Sequence, residues 1–160
     1  MKKELIELVT DQINYELESA YLYLSMSTWF ADNGYPGSAK WMEKQAHEET
    51  QHAMKMTHYL QEVNVRVLMR PIAGVDTDFP GFMDVFKLAL EHEKKVTARI
   101  HKIYEAATEA KDYALAGFYQ YFVKEQVEEE ANLVDIITRL EKVPTPIGIM
   151  MMDDRLGNRA

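Results

Sequence analysis

A chain of 160 residues, 47% of them apolar, is long enough to bury a core of its own. Its 26 acidic residues outnumber 18 basic ones, and the formal charge of −8 argues against nucleic acid and anionic membrane surfaces as partners while favouring cations. With 0 cysteines, disulfides, thiolate catalysis and iron–sulfur centres held by this chain are excluded, so any metal must be held by oxygen and imidazole ligands.

The opening Met1-Lys-Lys-Glu-Leu-Ile-Glu7 carries acids where a signal peptide would be apolar, and no uncharged run approaches the roughly 20 residues of a membrane span. One soluble, cytoplasmic domain over 1–160 is expected. Helical period then runs over about 4–32, with Val9, Ile13, Ala20, Tyr23, Ser27 and Phe30 near one face, and stops at Asn33-Gly-Tyr-Pro-Gly37. Glu16 falls on that face, two helical turns from both Val9 and Tyr23. A second helix over about 38–64 returns antiparallel to the first, and its buried stripe of Met42, Met56, Tyr59 and Val63 also carries Glu49 and His52. A carboxylate aimed into a core is costly unless it is paired or coordinates a metal.

Residues 65–80 break the helical pattern: Val65 to Gly74 alternates loosely, and Asp76, Asp78 and Pro80 follow. The segment is too long for a hairpin turn and long enough to travel the length of a bundle, so it reads as a crossover, with a short extended stretch or an irregular loop as alternatives for its first half. A third helix over about 81–110 aligns Phe86, Leu90, Val96 and Ile100, interrupted by Glu93. A fourth, over about 112–142, begins at a capping Asp112 and aligns Phe118, Phe122, Leu133, Ile136 and Leu140, interrupted by Gln126 and Glu129. Gly117 inside it reads as the mark of a close helix approach. After Pro144 a short fifth helix fits about 146–156, where Ile147, Ile149 and Met150 to Met152 would leave a sticky patch that suggests oligomer contacts. The expected fold is all-α: a four-helix up-down bundle with one long crossover between the second and third helices, plus a short C-terminal fifth helix.

The polar interruptions repeat with a fixed offset, 33 residues from Glu16 to Glu49 and 33 from Glu93 to Gln126. In two antiparallel hairpins of equal length such positions sit at one depth, so Glu16, Glu49, His52, Glu93, Gln126 and Glu129 converge in a shared core. Four carboxylates, an imidazole and a carboxamide at one level cannot stay unpaired, and two iron ions answer to that mixed oxygen and nitrogen donor set. Compared with the symmetric di-iron bundles, which carry Glu-x-x-His on each of two helices, Gln126-x-x-Glu129 lacks one imidazole and one carboxylate, and that likeness implies a tighter position near Glu16, Glu49 and His52 and a looser one near Glu93 and Gln126, with Glu49 bridging them.

Asn14-Tyr-Glu-Leu-Glu-Ser-Ala-Tyr-Leu-Tyr-Leu24, Ala46-His-Glu-Glu-Thr-Gln-His52, Glu91-His-Glu93 and Glu125-Gln-Val-Glu-Glu-Glu130 resemble the prokaryotic non-haem ferritins over essentially the whole chain. That resemblance implies iron storage and detoxification: Fe(II) is oxidised by O2 or H2O2 at a ferroxidase centre within one subunit, and ferric mineral is stored in a hollow homo-oligomeric cage of about 24 subunits. It implies Glu16, Glu49, His52, Glu93 and Gln126 as ferroxidase ligands and Tyr23 as a nearby tyrosine able to donate an electron. It also matches Glu48, Glu125, Glu128 and Glu129 to a third iron position, for which the plainer reading is a solvated acidic face. Bacterioferritins and rubrerythrins, by contrast, carry a second Glu-x-x-His where this chain has Gln126-x-x-Glu129. Haem is not expected, because Thr50 stands where a haem-ligating methionine would align. A smaller di-iron oxidase and a metal-free helical interaction module are the readings from other classes.

Overall fold

In a computed structural model the chain is described over residues 1–159. Five α-helices follow one another, α1 (Lys3–Asp32), α2 (Pro36–Glu62), α3 (Phe82–Glu109), α4 (Tyr113–Lys142) and α5 (Pro146–Gly157), and there is no strand among the described residues. Residues 65–80 form an irregular connection within the chain. None of the helices is long and apolar enough to cross a membrane.

The same stop signal ends the first three helices. After α1, Gly34 at φ 80° lets its own amide reach Ala31 O at 3.3 Å and the Tyr35 amide reach Phe30 O at 2.9 Å, the paired bonds of a Schellman cap. The Phe30 and Tyr35 rings close over it, 6.2 Å apart edge to face. Asn64 and Lys111 take the left-handed conformation for α2 and α3, with Val65 bonding Leu60 O at 2.8 Å and Asp112 bonding Ala107 O at 2.9 Å. Asp112 then caps α4, its carboxylate accepting from the Leu115 amide at 3.1 Å.

The helices pair as α1 with α2 and α3 with α4, the pairs meet mainly through α1 and α3, and α5 lies against α2 and α4. The connection from α2 to α3 is tied along α1 by Asn14 to Pro71 O (3.3 Å), Ser25 to Asp76 O (2.6 Å), and Arg70 to Glu7 and Asp11. The apolar core is divided. One cluster gathers Tyr23, Met26, Phe30, Met42, Phe86 and Leu133; the other gathers Val9, Ile13, Met56, Ile100, Tyr119 and Phe122. Glu16 and Ser19 on α1, Glu49 and His52 on α2, Glu93 on α3, and Gln126 and Glu129 on α4 fall between them in sequence, which makes a polar layer inside an apolar bundle.

Several sequence expectations are corrected. α2 starts at Pro36, because proline is well suited to the first turn of a helix, where its missing amide costs nothing. Val63, assigned to the buried stripe, is exposed at the end of α2. Gly117 marks no close approach: a Cβ there would meet nothing within 4 Å. The close approach is at Gly37, where a Cβ would lie 1.8 Å from the Asp153 carbonyl oxygen. There the Asp153 carboxylate accepts from the Gly37 and Ser38 amides at 3.2 and 2.7 Å, so α5 caps the start of α2 from outside. The apolar tail is accordingly split, with Met152 and Leu156 buried and Ile147, Met150 and Met151 exposed.

Candidate metal centre

Glu16 on α1, Glu49 and His52 on α2, Glu93 on α3, and Gln126 and Glu129 on α4 are all buried. Two trios converge. Glu16, Glu49 and His52 each offer a ligand atom within 4.8 Å of the others, and so do Glu49, Glu93 and Glu129. Glu49 belongs to both. At the looser position expected near Glu93 and Gln126, Glu129 joins Glu49 and Glu93 as a third converging acid. Gln126 lies beside it and turns its amide to Glu93, donating to the carboxylate at 3.0 Å and to the backbone carbonyl at 3.2 Å, and to Thr97 Oγ1 at 3.1 Å. A carboxamide among acids is most useful as a donor, which is the physical reason for that orientation.

The donor set is under electrostatic stress. Burial, and then the neighbouring Glu49 charge, push the Glu16 carboxyl well above its ordinary range; burial, and then Glu93, do the same to Glu49. Glu93 is also raised by burial, opposed by hydrogen bonds from Tyr23 and Gln126, and Glu129 is pushed up to about 7 by burial and by Glu93. Among the described residues one side-chain oxygen, Glu16 Oε2, is buried without any hydrogen-bond partner. Few buried carboxylate oxygens are left in that state, and a cation held between Glu16, Glu49 and His52 would satisfy it. Hard carboxylate oxygens with one imidazole suit iron well and soft thiophilic ions poorly.

Tyr23 is fully buried and its hydroxyl donates to Glu93 Oε1. Burial, reinforced by the Glu93 charge, raises its pKa well above the ordinary value, so it is a neutral phenol at physiological pH. Next to Glu93, His92 is stacked on Tyr15 and hydrogen-bonded to Ser19 at 2.6 Å, with its pKa lowered to about 4 by burial. It belongs to neither trio and lies as a neutral ring between α1 and α3.

Glu48, Glu125, Glu128 and Glu129 line one cavity of about 400 Å³ together with His52, Lys55 and Tyr121. They are less tightly gathered than the trios. Glu128 is exposed, Glu125 reaches to 4.0 Å from His52 Nε2, and Glu48 is engaged by Arg159 at 2.9 Å.

Sequence reasoning passed over the side chains that hold the carboxylates in place. Gln12 donates to Glu16 at 2.8 Å, and Gln45 donates to Glu49 at 3.1 Å and to Glu129 at 2.7 Å. Each glutamine stands four residues before its glutamate, so the pair obeys the same offset as Glu16 and Glu49 and was open to detection by that signal. Arg159 had no such signal, because nothing local brings it to α2.

A family model described as the ferritin-like domain matches residues 6–143. The chain is 35% identical over 143 residues to a bacterial non-heme ferritin of Campylobacter jejuni, covering 89% of this chain and 86% of the relative. It is 35% identical over 159 residues to a bacterial non-heme ferritin of Bacteroides fragilis, covering 99% of both. Its fold superposes on an open pore ferritin from the hyperthermophilic archaeon Archaeoglobus fulgidus with a TM-score of 0.98, at 37% identity over 100% of this chain and 99% of the other.

Proposed function

The chain belongs to the ferritin family, and on that premise we propose that it stores iron, oxidising Fe(II) to Fe(III) at a di-iron centre inside each subunit and keeping the product in a hollow homo-oligomeric cage of about 24 chains in the cytoplasm. The observation that carries this reading is that Glu49 belongs to both buried trios, so that one carboxylate can bridge two cations.

Two Fe(II) ions are the substrates, with O2 or H2O2 as the electron acceptor. One is taken by Glu16, Glu49 and His52, the other by Glu49, Glu93 and Glu129 beside Gln126. Entry of each cation displaces the protons that burial leaves on these carboxyls, and the displaced protons pass to solvent. Gln12 and Gln45 keep the emptied carboxylates aimed inward, as second partners of metal ligands do. Four carboxylates match the charge of a ferrous pair. Oxidation to Fe(III) adds charge that they do not match, which favours departure of the product toward storage. In this reading Tyr23 supplies an electron to this chemistry, supported by its hydrogen bond to Glu93.

Glu48, Glu125, Glu128 and Glu129 form a third iron position in this reading, supported by the acidic cavity that they line next to His52.

Glu49→Ala or His52→Ala tests the assignment. Stopped-flow absorbance under air should show loss of rapid Fe(II) oxidation in both, more completely for Glu49→Ala because Glu49 serves both positions, while size-exclusion mass shows the same assembly as wild type. Oxidation at the wild-type rate in Glu49→Ala would refute the centre.

A further inference from the structure

Arg159, just beyond α5, reaches back to the metal centre. Its Nη2 donates to Glu48 Oε2 at 2.9 Å, its Nη1 donates to Gln45 Oε1 and to the Trp41 carbonyl at 3.1 Å each, and its guanidinium carbon lies 4.5 Å from the centre of the Trp41 ring. Gln45 is committed by this contact. With its carbonyl oxygen accepting from Arg159, its amide must face the other way, toward Glu49 and Glu129. The arginine therefore sets which end of Gln45 meets the carboxylates. It also lines the cavity of Glu48, Glu125, Glu128 and Glu129.

We propose that Arg159 is a tethered counter-ion that keeps the third iron position closed and Gln45 locked, so that a cation gathered by Glu48, Glu125, Glu128 and Glu129 must first displace it from Glu48. The proposal rests on the third position described under the proposed function and adds its regulation. A guanidinium is always charged and offers a planar fork, so it neutralises Glu48 while bonding Gln45 with its other arm. Lys55 is the other cation at this cavity, and its ammonium sits over the Tyr121 ring at 3.3 Å. When a divalent cation claims Glu48, the guanidinium leaves Trp41 and Gln45 together. Gln45 is then free to turn, and occupancy of the third position is felt at Glu49 and Glu129 through that one side chain. Arg159 acts here as a positioning residue.

Zn(II) is redox-inert and tests the displacement directly. It is titrated into the metal-free full-length protein and into Arg159→Ala and Arg159→Lys, with calorimetry for affinity and indole emission for Trp41. The protein has 2 tryptophans, and Trp29 packs instead on Phe30 and Phe79. In wild type the first two Zn(II) per chain should leave the emission unchanged and the third should shift it. In Arg159→Ala the third Zn(II) should bind about five-fold more tightly, as expected for removal of one partly exposed ion pair, and without an emission change. Arg159→Lys keeps the charge without the fork and should fall between the two in affinity. A third equivalent of equal affinity in all three proteins, with wild-type emission unmoved, overturns the counter-ion role and leaves the third position standing. No third equivalent in any of them overturns both.

Discussion

Metal-free protein should lose stability as the pH is raised from about 5 to about 8, and Glu129→Gln should remove a defined part of that loss. A carboxyl whose pKa is higher in the folded state than in the unfolded chain holds its proton more tightly when folded. Its stabilising contribution is complete below the unfolded value and is lost as pH rises through the folded one. For Glu129 the window runs from the ordinary 4.5 to about 7, set by burial and by the Glu93 charge. At about 1.4 kcal/mol per pH unit this amounts to roughly 3 kcal/mol from Glu129 alone. Glu16, Glu49 and Glu93 are shifted the same way and add to the trend. In a chain of this size the Glu129 share corresponds to roughly 6–12 °C in melting temperature. Calorimetric or circular-dichroism melts of chelator-treated protein across this range are the assay. The glutamine is neutral at every pH and still accepts the Gln45 amide, so at pH 8 the variant should melt above wild type, and its pH slope should be shallower. A metal-free melting temperature that is flat or rises from pH 5 to 8, or an unchanged slope in Glu129→Gln, would refute the claim that unmet buried charge dominates this core.

Metal should reverse the trend: Zn(II) at about 100 times its dissociation constant should stabilise the wild type by about 2.7 kcal/mol per site at pH 8, and an absent melting shift would count against a preformed centre. Tyr23→Phe keeps the ring and removes the phenol that donates to Glu93, so the variant should fold and bind metal normally while oxidising Fe(II) several-fold more slowly in stopped flow; a wild-type rate would exclude a part for the phenol. Two glycines should behave oppositely in thermal melts. Gly37→Ala drives a methyl into the Asp153 carbonyl and should cost about 1–3 kcal/mol with release of α5, whereas Gly117→Ala meets open space on α4 and should gain up to about 1 kcal/mol.

Much of the bundle was legible because helical periodicity is local. The four long helices, the crossover, the Asp112 cap and the short final helix all leave signals within a few turns of sequence. The polar layer was legible for the same reason, since Glu16, Glu49 with His52, Glu93, and Gln126 with Glu129 each interrupt an apolar track. Their offset of 33 residues places them at matching depth in two hairpins. Val63 and Gly117 were misread because periodicity says which face a residue takes but not where the partner helix stops or how near it comes. Gly37 was read only as part of a turn, because its reason for being glycine lies 116 residues away in Asp153.

The sequence by itself determined that acids face inward at one level of a helical bundle, because burial face and depth follow from spacing along regular helices. Tertiary structure alone decided that Glu129 joins Glu49 and Glu93 in one trio, and that Glu16 Oε2 is left without a hydrogen-bond partner among the described residues. It also decided that Arg159 reaches Gln45 and Glu48 across 114 and 111 residues of chain. Such choices depend on side-chain direction and on distances between helices, to within an ångström or so, and a pattern along one chain does not encode that precision.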